Sequence, residues 1–176
     1  MERINCILPE CYADTNLINL LTGKNCNHQK GCPNVCKTMA NKFNNEFAVG
    51  VIDKDKHEPK AMGDYRLIAG NDYLLVHKHI KLHHYIIQIV PAVEVFILNA
   101  VDELKIDVTA FGFSAKLDDF KKKTKNIDSK FDIELTNLCK AVLNANNINT
   151  LKCILEYLIK YKYYVNETEL VNLLKQ

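Results

Sequence analysis

The chain has 176 residues, of which 48% are hydrophobic and 25% are charged, and its formal net charge is +2. This composition supports one compact domain with a sizeable core and excludes a disordered chain. The near-neutral charge excludes a protein that coats nucleic acid over its whole surface, so any contact with nucleic acid must come from local basic patches. Seven cysteines, an odd number, argue against a disulfide framework.

The sequence has neither the pattern of a secretory signal nor that of a membrane span. Its first six residues lack the continuous apolar segment of a signal peptide. The longest apolar region, 85–101, is interrupted by Pro91 and by the carboxylate of Glu94. We therefore expect a cytoplasmic protein with reduced cysteines and no membrane partner.

The first third of the chain alternates strand patterns with helix patterns. The predicted elements are a strand over 3–9, a helix capped by Asp14 or Thr15 that ends at Gly23, a helix over 33–44, and a strand over 47–52. The last of these strands is apolar at every position, which is typical of a central parallel strand covered on both faces.

The middle of the chain continues the same alternation. After a charged loop over 54–63, apolar strands at 73–76 and 85–90 flank a connector rich in histidine and lysine, and a helix begins at Pro91 and runs to about residue 104. Together with the first elements, this order predicts an α/β core with a mostly parallel sheet and flanking helices over residues 1–113.

The residues from 114 to 176 differ from the core in their pattern of charged and apolar positions. The lysine run 121–123 and the acids near it indicate a solvated segment, and three amphipathic helix patterns follow. Neither a repeat of fixed period nor a low-complexity linker separates this part from the core. We expect a helical C-terminal segment that packs on the core and offers a surface for a protein partner or for a homodimer.

Four acids follow or lie near predicted strand ends. Asp53 and Asp55 point the same way at the end of strand 47–52, about 7 Å apart along the backbone. Glu10 ends the first strand, and Asp14 lies in the first turn of the next helix. Because ligands bind beyond the carboxyl ends of the strands in α/β sheets, the pattern predicts a site for Mg²⁺ or Mn²⁺ held by these carboxylates. The alternative for Asp14 is a helix cap, and for the pair it is an ordinary turn.

Glu94 is the next candidate acid. It lies in a helix start that is apolar on nearly every side, where an unpaired carboxylate costs several kcal/mol. A metal, a lysine or the positive end of its own helix would each be a partner. We favour a role in the site.

The cysteines offer two further chemistries. Zinc is an alternative cofactor, because Cys26, His28, Cys32 and Cys36 have the ligand types of a zinc site, although their spacing is not that of a paired Cys-x2-Cys knuckle. Cys11, beside the acid at position 10, is a candidate nucleophile if the fold brings a histidine to it.

Three of these motifs occur together in a known family. The glutamate that ends the first strand (Glu10), the later Asp-x-Asp pair (Asp53 and Asp55) and the Pro-x-x-Glu-x-Phe helix start at 91–96 resemble the Toprim-type catalytic domain. The resemblance is to the small Toprim-like proteins related to the OLD-family nucleases, and it covers residues 3 to about 104.

The resemblance implies a Rossmann-like α/β core in which Glu10, Asp53 and Asp55 hold a divalent metal, with Glu94 as an additional acid. Toprim domains usually have glycine after the first acid, whereas this chain has Cys11.

These observations lead us to expect a Mg²⁺- or Mn²⁺-dependent nuclease-like protein that cleaves phosphodiester bonds in nucleic acid. The predicted catalytic residues are the four acids Glu10, Asp53, Asp55 and Glu94. Lysines near the rim of such a site neutralise backbone phosphates without choosing a sequence, and Lys56 and Lys78 are the candidates for that role.

Two other functions use the same fold. One is a non-catalytic binding or regulatory module, which the cysteine after the first acid and the large helical segment favour. The other is a metal-dependent phosphohydrolase acting on a small phosphorylated molecule. The haloacid dehalogenase pattern, which has Thr or Val two places after the second Asp, does not fit, because His57 occupies that place.

Overall fold

The computed structural model describes residues 1–54 and 59–175. Seven strands lie within these residues: β1 (Arg3–Ile4), β2 (Ile7–Pro9), β3 (Asn25–Cys26), β4 (Ala48–Asp53), β5 (Tyr65–Gly70), β6 (Leu74–His79) and β7 (His84–Ile89).

Seven α-helices accompany them in the described part of the chain: α1 (Tyr12–Thr22), α2 (Cys32–Lys42), α3 (Val93–Glu103), α4 (Leu117–Lys125), α5 (Ile133–Ala141), α6 (Asn146–Tyr161) and α7 (Glu167–Leu173). Short 3₁₀ turns occupy Lys60–Asp64, Val108–Phe111 and Lys162–Tyr164. None of the described helices combines the length and the apolar character that a membrane crossing requires.

Five strands form the central sheet in the order β2-β4-β7-β6-β5. Strands β2, β4 and β7 run parallel to one another, whereas β6 and β5 are antiparallel to their neighbours. Strands β1 and β3 pair in a separate short parallel ribbon. Three of the five pairings among the described strands are therefore parallel, which confirms the predicted α/β architecture with a mostly parallel sheet.

Helices cover both faces of the sheet. Helix α2 packs on one face, and α1, α3 and the C-terminal helices cover the other. Because successive side chains of a strand alternate between faces, β4 places Val49 and Val51 in the larger hydrophobic cluster and Ala48 and Ile52 in the smaller one. This double burial explains why the strand is apolar throughout.

The C-terminal helices belong to the same hydrophobic cluster as the larger face of the sheet. Buried polar contacts fix them to α1: the side-chain amide of Asn16 donates to the backbone oxygen of Ser129 at 2.8 Å, and Asn16 Oδ1 accepts from the backbone N–H of Asp132 at 2.8 Å. The segment from residue 114 onward thus packs directly on the helix that follows β2.

The first strand and helix differ from their predicted bounds. The predicted strand over 3–9 is two strands, β1 and β2, in different sheets. Neither Asp14 nor Thr15 caps α1; the cap is Cys11, whose Sγ accepts the N–H of Asp14 while the carboxylate of Asp14 accepts the N–H of Cys11. The prediction that α1 ends at Gly23 is confirmed, since Gly23 has the left-handed φ of 65° that glycine adopts easily.

The antiparallel half of the sheet was predicted least well. Strand β5 is missing from the prediction; all its residues are at least partly exposed, and its apolar run over 67–69 is short. The predicted connector over 77–84 is also wrong, because His77 and His79 belong to strand β6 and His84 begins β7. The turn between these two strands spans residues 80–83.

Two helix predictions also need correction. Helix α3 begins at Val93, not at Pro91. The lysine run 121–123, predicted to lie in a solvated segment, belongs to α4, which buries Phe120 and Thr124 against the core. A short helix with two buried positions shows little of the apolar pattern that predicts longer helices.

Candidate functional site: an acidic cavity at the end of the parallel strands

A cavity of about 500 Å³ lies where the three parallel strands end. Glu10 directly follows β2, Asp53 ends β4, and Glu94 lies in the first turn of α3, the helix after β7. All three side chains line this cavity. The structure therefore brings together three acids that are widely separated in the sequence, at the edge where α/β sheets bind their ligands.

Glu10 and Asp53 lie side by side. The backbone N–H of Asp53 donates to Glu10 Oε2 at 3.3 Å, and Asp53 Oδ1 accepts from the backbone N–H of Val93 at 2.8 Å. The second bond places the Asp53 carboxylate at the positive end of α3, where a negative charge is stabilised. Each carboxylate is thus positioned by the backbone of a neighbouring element.

Asp14 lies behind these two acids and is fully buried. Its Oδ2 accepts from the N–H of Cys11 at 3.2 Å, but its Oδ1 has no hydrogen-bond partner among the described residues. Burial raises the pKa of Asp14 well above its ordinary value, and the nearby charges of Asp53 and Glu10 raise it further. Asp14 is absent from the residues that line the cavity. The structure therefore places three acids, Glu10, Asp14 and Asp53, close enough for their charges to interact.

Cys11 directly follows Glu10, at the position where the predicted Toprim resemblance would place glycine. Its backbone is extended (φ −131°, ψ 175°), a conformation open to any residue, so the turn does not require glycine. Burial raises the pKa of the Cys11 thiol, and the charge of Asp14 raises it further. A thiol held protonated is a poor nucleophile, so the geometry favours a capping role for Cys11 over nucleophilic catalysis.

His28 lines the cavity beside Tyr12, and the two rings are stacked with centroids 4.0 Å apart. Thr15 Oγ1 donates its single proton to the backbone oxygen of Cys11 at 2.6 Å, so the 2.9 Å contact between His28 Nδ1 and Thr15 Oγ1 requires Nδ1 to carry a proton. Burial lowers the pKa of His28, which favours the neutral ring. The neutral ring therefore carries its lone pair on Nε2.

Helix α4 forms another wall of the cavity. Thr124 Oγ1 donates to Glu94 Oε1 at 2.8 Å, which supplies the partner that this acid was expected to need. Lys121 and Lys125 lie on the same helix and also line the cavity. Sequence reasoning missed these three residues of the C-terminal segment. Positions 121, 124 and 125 lie on one face of a helix, and this spacing is the sequence signal that could have grouped them.

Lys78 is a predicted site residue that lies away from the cavity. Lys78 is on β6, where its Nζ contacts Glu167 Oε1 at 3.0 Å, and it is absent from the cavity lining. Asp55 and Lys56 lie outside the described residues.

The four predicted zinc ligands do not share one location. Cys26 packs in the larger hydrophobic cluster, whereas Cys32 and Cys36 pack in the smaller one on the opposite face of the sheet. His28 is engaged with an aromatic ring and a threonine, as described above. Within residues 1–54 and 59–175, His, Cys, Asp and Glu side chains do not form a group of three or more arranged to hold a metal ion.

Comparison with known proteins adds no further assignment: no family model, curated protein sequence or solved structure matches the chain.

Proposed function

We propose that the chain is a divalent-metal-dependent nuclease-like protein of the Toprim type, which cleaves phosphodiester bonds in nucleic acid at this cavity. The observation that carries the proposal is the lining of one cavity by acids that lie at or beyond the ends of three adjacent parallel strands, together with lysines from α4. Acids suit a cation, and lysines suit the phosphate that the cation would engage.

In this proposal the described acids contribute ligands for Mg²⁺ or Mn²⁺. Glu10 and Asp53 provide carboxylate oxygens, the donors that these hard cations prefer. The buried Oδ1 of Asp14, without a hydrogen-bond partner among the described residues, lies in the same negative region. We assign Glu10 and Asp53 as ligands, with the sequence-predicted Asp55 as a third. When bound, the metal would supply charge stabilisation and an activated water.

The remaining residues have separate tasks in this proposal. Lys121 and Lys125 bind non-bridging phosphate oxygens, which contributes affinity without sequence preference. His28, neutral and with its lone pair on Nε2, accepts a proton from the attacking water. Thr124 fixes the carboxylate of Glu94 through its hydroxyl.

A second candidate function is a phosphohydrolase for a small phosphorylated molecule. The volume of the cavity favours it, since about 500 Å³ lies within the ordinary range for small-molecule sites. Both functions use the same acids and lysines, so the size of the substrate separates them.

The test is a cleavage assay with Mn²⁺ on single- and double-stranded DNA and RNA, beside a small phosphate monoester. We expect cleavage of a nucleic acid by the wild-type protein and its loss in Asp53→Asn. This variant keeps an oxygen that can accept from the N–H of Val93, so α3 keeps its contact. Asp55→Asn, tested separately, is expected to lose activity as well.

Glu167→Gln is the matched control, because it also neutralises one carboxylate but lies on α7, outside the cavity lining. Equal cleavage by the wild-type and Asp53→Asn proteins would reject the nuclease proposal. Turnover of the monoester without cleavage of any polymer would replace it with the second candidate. Inactivity on every substrate would favour the non-catalytic module.

A further inference from the structure

A second surface of the molecule combines exposed tyrosines with lysines. We call it the tyrosine patch, and it consists of Lys160, Tyr161, Lys162, Tyr163 and Tyr164. These consecutive residues are all exposed, and the tyrosines are 38%, 45% and 86% exposed in chain order. Large side chains with this much exposure in a run without any acid are unusual for a surface that contacts only water.

Neighbouring elements hold part of the patch in place. Tyr163 Oη accepts the backbone N–H of Phe47 at 3.1 Å, and the ring of Tyr163 meets that of His83 edge-on at 5.0 Å. The ring of Tyr161 packs against Tyr157 at 4.6 Å. Two of the three tyrosines are therefore preorganised, which lowers the entropy cost of binding a ligand.

The local charge of the patch is positive. Lys160 Nζ lies 5.0 Å from the centre of the Tyr161 ring, and Lys162 begins the 3₁₀ turn that carries the other two tyrosines. Lys81 is exposed in the turn that also contains His83, two residues away. Glu46 is one nearby acid, since its charge and that of Lys162 both act on the thiol of Cys6, and Glu156 lies one turn before Lys160 on α6.

The tyrosine patch and the acidic cavity lie at opposite ends of strand β4. Phe47, which contacts Tyr163, immediately precedes β4, and Asp53 ends it in the cavity. Six strand residues span about 20 Å. Substitutions in the patch therefore leave the cavity lining untouched.

We infer that the tyrosine patch binds single-stranded nucleic acid, with bases stacked on exposed tyrosine rings and backbone phosphates held by Lys160 and Lys162. Aromatic platforms beside lysines are the common design of proteins that bind single strands without sequence preference, because every base has a π-face. The inference goes beyond the proposed cleavage, since binding here needs neither the metal nor the acids.

An anionic membrane is the competing partner for a surface of lysine and tyrosine. The patch offers no leucine, phenylalanine or tryptophan for insertion between lipid chains, which interfacial membrane sites generally use. Its rings carry hydroxyl groups and its run lies on a helix end and a 3₁₀ turn, not on an amphipathic helix face. These features favour stacking with bases.

The test is fluorescence anisotropy with the full chain and labelled oligo(dT) and oligo(U) of about 20 nucleotides, longer than most single-strand site sizes. EDTA is present, so no cleavage interferes. We expect Tyr164→Ala to weaken binding about fivefold or more through the loss of a stacked base. Lys160→Gln/Lys162→Gln should reduce the slope of log K against log salt by about 1.4, since each phosphate contact on a single strand contributes about 0.7.

Matched controls are Tyr73→Ala, another exposed tyrosine, and Lys37→Gln/Lys140→Gln, which removes two exposed lysines from other helices. Equal affinity and equal salt slope in patch and control variants would overturn the inference. Patch-dependent binding to phosphatidylserine vesicles without binding to oligonucleotides would also overturn it. Because EDTA removes the metal, patch-dependent binding by a protein that never cleaves would contradict the proposed function alone.

Discussion

The two halves of the central sheet carry charge in opposite ways. In the parallel half, burial raises the pKa of Asp14 and the charges of Asp53 and Glu10 raise it further, so acids lie close together. In the antiparallel half, the pKa of Glu167 is lowered, first by its hydrogen bond to Arg66. One half concentrates acids around a cavity, and the other pairs its charges across strands and helices.

This difference distinguishes acids with a candidate function from charged residues that have a structural role. Acids that repel one another lower the stability of the fold, and groups with strongly shifted pKa values are common at functional sites. Paired charges on a surface need no ligand. We therefore propose the cavity as the site of chemistry and give the ion pairs of β5, β6 and α7 a structural role.

The sharpest contrast between the halves is expected from two carboxylate substitutions. Glu10→Gln should lower Mn²⁺-dependent cleavage by about 100-fold or more, because a lost metal ligand removes several kcal/mol of transition-state stabilisation. Glu167→Gln should leave cleavage unchanged. Cleavage rates of the two variants are compared under single-turnover conditions, and their melting temperatures confirm that both variants fold. Equal losses in the two variants would break the proposed division.

Histidines of the two halves should differ in the same way. His28→Asn retains a donor toward Thr15 but lacks the Nε2 lone pair, so we expect kcat to fall by about 100-fold, the lower range for general base catalysis. His77, whose Nε2 contacts Gln88 Oε1 at 2.8 Å in the antiparallel half, is the control, and His77→Gln should retain activity. Full activity of His28→Asn would remove this residue from the mechanism.

The packing of the two halves should differ as well. A Cβ at Gly50 would lie 2.7 Å from Val35 Cγ1 and 3.0 Å from Met39 Sδ, both buried on α2. Gly50→Ala should therefore lower the free energy of unfolding by about 1–3 kcal/mol, measured by urea denaturation. Gly70→Ala on β5 should cost less, because the added Cβ meets mainly the flexible tip of Leu75, with the backbone oxygen of Leu74 at 3.1 Å as its other close neighbour.

Gly63→Ala is the control for these two substitutions, since a Cβ there meets nothing within 4 Å among the described residues. If Gly50→Ala lowers the free energy of unfolding no more than Gly63→Ala does, then α2 does not pack against β4 as closely as the structure indicates.

Asp14→Asn should stabilise the protein by about 0.5–2 kcal/mol at pH 8, the usual gain of a favourable single substitution. The pKa of Asp14 is raised in the folded state, so the wild-type protein loses stability as the pH rises above the ordinary value of 3.8, and asparagine does not titrate. Melting temperatures between pH 4 and pH 8 should diverge as the pH rises.

Asp107→Asn gives the opposite sign, because hydrogen bonds from Thr109 lower the pKa of Asp107. The ionised Asp107 contributes stability to the wild-type protein above pH 3.8, and this contribution is lost as the pH falls below that value. A constant difference between wild type and Asp14→Asn across the pH range would contradict the repulsion among the acids.

The smallest expected effect is that of Glu167→Gln on stability, below about 1 kcal/mol, since its ion pairs with Arg66 and Lys78 are partly exposed. The pKa of Glu167 is lowered on folding, so this contribution is present above the ordinary value of 4.5 and is lost as the pH falls through the folded value. Chemical denaturation at low and high salt measures it. A loss that exceeds the effect of Gly50→Ala would make the ion pairs a main support of the fold.

Sequence patterns located the acids of the cavity because their signal is local. Glu10 and Asp53 each end an apolar strand, and parallel strands bring their carboxyl ends to one edge. Glu94 was predicted from a different signal, a carboxylate in a helix start that is otherwise apolar. The α/β architecture followed from the same alternation of strand and helix.

The remaining parts of the site depend on tertiary contacts. Lys121 and Lys125 reach the cavity because α4 packs beside α3, and a lysine run gives no hint of that neighbour. The role of Cys11 as a cap was equally hidden, since cysteine is not among the preferred capping residues. Strand β5 was missed because it has no buried apolar run of its own.

The most direct test of the acidic cavity is isothermal titration calorimetry of Mn²⁺ into the wild-type protein and Asp53→Asn, with Glu167→Gln as the charge-matched control. We predict saturable binding to the wild-type and Glu167→Gln proteins and its loss in Asp53→Asn. Absence of binding to the wild-type protein, or equal binding to all three, would contradict the assignment of the cavity as a metal site.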